Sequence, residues 1–230
     1  MGKIQFGSFV TDMRGKVGGS IYSKNAFGSY VKNKTIPINP NTPAQQAARA
    51  QFATVSQDWA NLTRAQKRAW GANAINYQQK DVFGKVYTPS GFGMFMSLNG
   101  NLSTVGAEKL VAPPSITPPP DMYDFNMDAD ISATAINVFE TGMAVPADTA
   151  WVITMTPQVN NSVNTQFVAK SKIAIIPAGT QLANVNLWAD YLAKFGLPIA
   201  NMKAGFEVWP VNTLNGVIGY KFTQECYFGT

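Results

Sequence analysis

The sequence predicts a multidomain α+β protein: an extended basic arm, a small helical domain and a C-terminal β-sandwich. Three observations carry this. The apolar period is helical before a proline-rich stretch and two residues after it. Two helix-start signals lie between residues 39 and 77. The first 38 residues are rich in glycine and lysine and weak in apolar periodicity. The chain accordingly divides into an arm or hairpin at 1–38, a helical domain at 39–111, a linker at 112–120 and a β-domain at 121–230.

In the arm, Val17 to Ser23 and Ser29 to Ile38 read as two extended segments around a turn at Asn25 to Gly28. Their apolar content is low, so such a hairpin has little core of its own. It lies against the helices or reaches to a neighbouring subunit, and the second reading is preferred. Gly15-Lys16-Val17-Gly18-Gly19-Ser20 is only superficially a phosphate loop: its lysine precedes the glycine pair and a strand-like run follows. No nucleotide or other cofactor is expected. Lys16, Lys24, Lys32 and Lys34, with Tyr22 and Tyr30 nearby, form a basic and aromatic set suited to a partner, phosphates among the options.

The helical domain opens with Thr42 as N-cap, Pro43 at the first helical position and Gln45 placed to reach back, a capping box. Thr63 with Gln66 repeats the pattern. Phe52, Val55, Trp59 and Leu62 make one apolar stripe; Ala69, Trp70, Ala74 and Tyr77 make the next. Small alanines beside tryptophans predict a close antiparallel pair with both tryptophans in the core. A short apolar piece, Val82 to Tyr87, precedes a third helix over Pro89 to Leu102, whose Phe92, Phe95, Met96 and Leu98 close the helical core. APPSITPPP (112–120), with five prolines in nine residues, predicts a semi-rigid spacer.

Beyond residue 121 the alternation is strand-like. Phe167, Ala169, Ile173 and Ile175 fall on one side of a strand. Tyr220, Phe222 and Cys226 alternate with Lys221, Thr223 and Glu225, and Trp151, Ile153 and Met155 alternate with Val152, Thr154 and Thr156. Ile131, Ala133 and Ala135 begin another strand, and Phe206 with Val208 a further one. Asn215-Gly216 predicts a type I′ hairpin turn, and Leu187 to Phe195 a helical interruption. Trp209 lies on the opposite face from Phe206 and Val208 and is the better candidate for an exposed contact. Asp121, Asp124, Asp128 and Asp130 lack the EF-hand glycine and terminal Glu, so a solvated loop is expected rather than a metal site.

Composition narrows the chemistry. The chain has no histidine and one cysteine, Cys226. That excludes Ser-His-Asp and Cys-His catalysis, His-containing metal sites and an internal disulfide. No suitable carboxylate pair can be located, so no enzyme activity is expected. No apolar run of about 18 residues predicts a membrane span. MGKIQFGSFV lacks a signal-peptide core, and Phe6 stands where a myristoylation signal needs Ser or Thr. The formal charge of +5 is unevenly spread: 13 basic and 4 acidic residues in 1–120, 5 and 9 in 121–230. Such asymmetry points to an acidic partner or to head-to-tail packing among copies.

The combination GKVGGSIYSKN (15–25), IPINPNTPAQQAARAQF (36–52) and W-x-x-L-T-x-x-Q-K-x-A-W (59–70) resembles a recurrent family of virion-associated proteins of tailed bacteriophages and prophages. The resemblance covers roughly residues 15–105 well and the rest loosely. VPADTAWVITMTP (145–157) and VWPVNTLNGVIG (208–219) look like its C-terminal module, similar to fibronectin type III or immunoglobulin domains. It implies a virion location after assembly in the bacterial cytoplasm, and supplies no catalytic residues to carry over. The expected function is a capsid-associated auxiliary or decoration protein, oligomeric within the particle. It would bind shell subunits through its N-terminal half and project the β-domain. A tail or head–tail junction protein is the alternative. From another class, a nucleic-acid-binding packaging or regulatory protein would use Lys16, Lys24, Lys32, Lys34, Arg64, Lys67 and Arg68. It is not preferred, because these residues form no recognised nucleic-acid motif. Carbohydrate binding through Trp151, Trp188 or Trp209 stays open.

Overall fold

The computed structural model describes residues 2–25, 28–36, 38–80, 84–120, 126–139, 145–181 and 185–229. The chain is mixed α+β, with four α-helices among these residues and most of its regular structure in sheets. It forms two compact units, Met1–Gln46 and Ala47–Thr230.

The first unit is a four-stranded antiparallel sheet. Its strands are β1 (Gly2–Lys3), β2 (Gly15–Val17), β3 (Ser20–Asn25) and β4 (Gly28–Asn33), in the order β1-β4-β3-β2. The sequence predicts one strand over Val17–Ser23. The structure breaks it at Gly18-Gly19, with Val17 opposite Ser20 across the turn. Gly18 has φ +58, as the first central residue of a two-residue II′ hairpin requires. No described residue of this unit is buried. Phe9, Val10, Met13, Val17, Ile36 and Ile38 are all exposed.

α1 (Pro43–Asn61) starts from the capping box: the Gln45 N–H donates to Thr42 Oγ1, and the Thr42 N–H to Gln45 Oε1. α2 (Arg64–Asn73) repeats it at Thr63 and Gln66 and ends in a 3₁₀ turn, Ala74–Asn76. A two-stranded ribbon of β5 (Gln79–Lys80) and β6 (Val86–Tyr87) leads to α3 (Gly91–Val105), capped by Ser90 and ended by left-handed Gly106. Of the short apolar piece expected there, Val82 lies outside the described residues.

Val55, Trp70, Ala74, Met94, Phe95 and Leu98 make the helical core, with Trp59 and Leu62 half-buried beside it. Two expectations change. Phe52 is exposed, because at that level Gln51 turns inward and donates to Gly100 O and Thr104 Oγ1 of α3. The closest helix pair is α2 with α3, not α1 with α2. A methyl group on Gly91 would lie 2.6 Å from the Gly71 nitrogen, so the bare Cα of Gly91 sets that approach.

The β part is a six-stranded sheet. It comprises β7 (Asn126–Asp130), β8 (Ala135–Phe139), β9 (Thr149–Met155), β10 (Ser171–Ile176), β11 (Lys203–Asn212) and β12 (Phe222–Gly229), in the order β10-β9-β11-β12-β7-β8. Only β12 with β7 pairs in parallel. One face of all six strands, with α4 (Trp188–Phe195), builds a single core around Met127, Ile136, Trp151, Ile153, Phe206 and Phe228. α4 touches both edge strands, β8 and β10, so the sheet curls around that core.

The alternation placed Trp151, Ile153 and Met155 together correctly, and all three are buried. It misplaced Phe167, which sits 87% exposed in a 3₁₀ turn, Thr165–Phe167, outside any strand. Tyr220 also precedes its strand and is exposed, and Ile131 and Ala133 fall in the turn between β7 and β8. The turn at Asn215-Gly216 is not type I′, since only Gly216 has positive φ (+73). Asn212 Oδ1 accepts from the Leu214 and Asn215 N–H groups and widens it.

Residues 112–120 are a packed strap rather than the semi-rigid spacer expected. Asn215 Nδ2 donates to the carbonyls of Ser115 and Thr117, and Pro119 is buried against Gly219. The β11–β12 turn also meets the helices. Val217 joins the helical core, and Asn101 Nδ2 donates to Gly216 O.

Candidate interaction surfaces

The register of the N-terminal sheet sorts its side chains by face. Lys3 lies opposite Tyr30, Tyr30 opposite Ser23, Lys32 opposite Ile21, and Ile21 opposite Lys16. Directly opposed residues share a face. Lys3, Lys16 and Lys32 therefore stand together with Tyr30, Ile21 and Ser23, spread over four strands or about 14 Å. Tyr22 and Lys24 occupy the other face with Val17 and Val31. Lys34 lies just past β4, its N–H bonded to Gly19 O. The predicted basic set is thus split: Lys16, Lys32 and Tyr30 on one side, Tyr22 and Lys24 on the other. Lys3 is the member that sequence spacing missed, since only the β1–β4 pairing brings it there.

The three lysines of this face are exposed and make no ion pair or side-chain hydrogen bond among the described residues. Residues 1–46 hold six basic side chains and one acidic one, Asp12, which pairs with Arg14 at 3.3 Å. The other 184 residues hold twelve of each sign. The whole net charge of +5 therefore sits on the first unit.

The helical basic residues are less available as a group. Lys67 is engaged within the fold: its ammonium donates to Ala60 O at the end of α1 and stands 6.0 Å from the Trp59 ring centroid. Arg64 and Arg68, one helical turn apart on α2, are exposed. A cleft of about 400 Å³ near α2 is lined by Asp58, Leu62, Gln66, Phe95 and Lys109, and the Lys109–Asp58 pair (2.6 Å) spans it.

The outer face of the β-domain sheet carries two charged groups on either side of Gly205. Glu207 accepts from Lys170 (3.4 Å) and Lys221 (3.0 Å), and the Lys221 ammonium stands 4.7 Å from the Trp209 ring centroid. Burial pushes the Glu207 pKa up, but the two ammonium groups outweigh it and hold the carboxyl below its ordinary range. Glu225 accepts from Lys203 (2.9 Å) and the Thr165 hydroxyl (2.7 Å), and these bonds hold its pKa down as well. Trp209 is half-buried on the face that alternation gave it, with a cation over its ring. Trp188 and Trp151 belong to the inner core and are not available to a ligand.

Cys226 is buried under the sheet, and burial pushes its thiol up to about 12. A thiol so shifted is not a nucleophile near neutral pH. Asp121 and Asp124 lie outside the described residues. Asp128 is exposed on β7, and Asp130 Oδ1 accepts from Ser132 and Ala133, which lowers its pKa. Among the described residues no group of three or more His, Cys, Asp or Glu side chains is placed to hold a metal, and no helix is long and apolar enough to cross a membrane. Comparison with known proteins found no matching family model, curated protein or solved structure.

Proposed function

We propose that the chain is a structural subunit of a tailed-bacteriophage virion. It acts as a capsid-associated auxiliary protein that binds neighbouring shell subunits through its N-terminal half and presents the β-domain outward. The observation that carries this reading is the N-terminal unit: none of its described residues is buried, and six large apolar residues, Val17 on a strand and five in the connecting segments, are exposed. A sheet of that size without a hydrophobic face to cover gains little from folding alone. It gains its burial when a neighbour supplies the other half. The resemblance of residues 15–105 to phage virion proteins supports the same assignment.

The β-domain is read as a variant of the immunoglobulin or fibronectin III sandwich. Its first strand runs parallel to its last, β9 and β11 are adjacent, and α4 packs against both edge strands. Mass spectrometry of purified particles tests the proposal. The chain is expected at stoichiometric copy number, and its absence from particles overturns the reading. Imaging those particles separates a shell position from a tail or head–tail junction.

A further inference from the structure

We propose that the lysine face of the N-terminal sheet, formed by Lys3, Lys16 and Lys32 around Tyr30, binds the phosphate backbone of double-stranded DNA without sequence preference. The register places three unpaired ammonium groups on one side of the sheet. That face carries no carboxylate, and the unit around it holds the whole net charge of the chain. Ser23 adds a hydroxyl donor between the lysines, a residue type that serves phosphate contacts as well.

The composition of the face selects the partner. Protein interfaces are depleted in lysine at their cores and rely on aromatic and arginine anchors. This face has no arginine, and its apolar members, Ile21 and Tyr30, are already half-buried. Single-stranded nucleic acid is held by successive stacking platforms, and one tyrosine does not make a series. Lysines dispersed over four strands match the evenly spaced phosphates of a duplex, where affinity comes from counterion release. The inference is independent of where the protein sits in a particle: a chain absent from virions can still bind DNA, and a virion subunit can fail to.

The test is fluorescence anisotropy of a labelled 30-base-pair duplex with the full chain between 50 and 200 mM salt. Three phosphate contacts give a slope of log affinity against log salt of about −2.7, or roughly a 40-fold loss across that range. The Lys3→Gln/Lys16→Gln/Lys32→Gln variant is expected to lose binding at 50 mM salt, while Lys3→Arg/Lys16→Arg/Lys32→Arg retains it. Arg64→Gln/Arg68→Gln on α2 is expected to bind like the unmodified chain. Circular dichroism of each variant confirms that 47–230 stays folded. A slope shallower than about −1, undiminished binding by the triple glutamine variant, or an equal loss in the α2 variant overturns the proposal. Equal competition by polyglutamate at matched charge also overturns it and assigns the face to an acidic protein.

Discussion

Residues 1–46 and 47–230 solve the folding problem in opposite ways. The second unit buries two apolar clusters and balances its charge, twelve positive against twelve negative. The first has no fully buried side chain among its described residues and keeps a surplus of five positive charges. Burial of apolar area is the main favourable term in folding, at roughly 25 cal/mol per Å². A unit that declines it leaves both its apolar and its charged side chains for partners. The contrast teaches where to look for an interaction surface: in the part whose internal accounts do not close.

The strongest way to break the contrast is to take from 47–230 what 1–46 lacks. Trp70 is wholly buried, stands edge-on to Phe95 at 5.2 Å between centroids, and donates from Nε1 to Val111 O. Trp70→Ala is expected to cost about 3–5 kcal/mol in urea unfolding, through the cavity and the orphaned carbonyl. The buried Cys226 thiol gives an independent readout. It is expected to resist maleimide in the native protein and to label faster in the variant.

Next in size is the seam between helices and sheet. Gly216 has φ +73, and a methyl group there would lie 2.3 Å from Leu98 O. Gly216→Ala is expected to destabilise by about 3 kcal/mol, from strain and backbone overlap together. Gly100 is the counterpart: it lies within α3, and a methyl group there meets nothing within 4 Å. Gly100→Ala is expected to stabilise by about 0.5–1 kcal/mol. Chemical denaturation of the pair checks that open space and helical geometry, not the residue type, decide the sign. A loss at Gly100 as large as that at Gly216 would refute the packing described for α3.

This seam also marks where sequence reasoning stops. The capping boxes at Thr42 and Thr63 are legible because cap and partner lie three residues apart. The Trp151-Ile153-Met155 face is legible because a strand alternates whatever its neighbours are. The strap at 112–120 reads as a spacer because proline excludes helix. Its partners, Asn215 and Gly219, come about one hundred residues later, and no local pattern announces them. The lysine face has the same origin. Lys3 and Tyr30 share it through a strand of two residues, too short to show a period. Gly18-Gly19 hides a turn inside a run that reads as one strand. Alternation puts Trp209 on its observed face, but the cation over its ring is Lys221, twelve positions away and beyond any local pattern.

The charged outer face of the β-domain gives a smaller, pH-dependent effect. Both Glu207 and Glu225 have folded pKa values held below the ordinary glutamate range by their lysine partners. A depressed folded value means that the stabilisation is fully present above the unfolded pKa and is lost as pH falls through the folded one. Thermal midpoints from pH 7 to pH 3 are therefore expected to fall on acidification. At pH 7 Glu207→Gln and Glu225→Gln are expected to be less stable than the unmodified chain, and to show a flatter decline with acid. Parallel curves for all three proteins would mean that the ion pairs contribute nothing to folding.

The smallest expected effect is on stability at the lysine face. Exposed side chains that make no ion pair or hydrogen bond change stability by no more than about 0.5 kcal/mol when replaced. Lys3→Gln/Lys16→Gln/Lys32→Gln is therefore expected to unfold within that margin of the unmodified chain in urea. Removing three like charges from a unit with five in surplus also relieves mutual repulsion, so the sign is expected to be neutral or slightly stabilising. A loss above about 1 kcal/mol would show that the lysines hold the sheet together and that the face is structural. A neutral result leaves three cations on one face with no internal task. The difference between a stability that does not move and an affinity that does is what separates a binding surface from a solvated one.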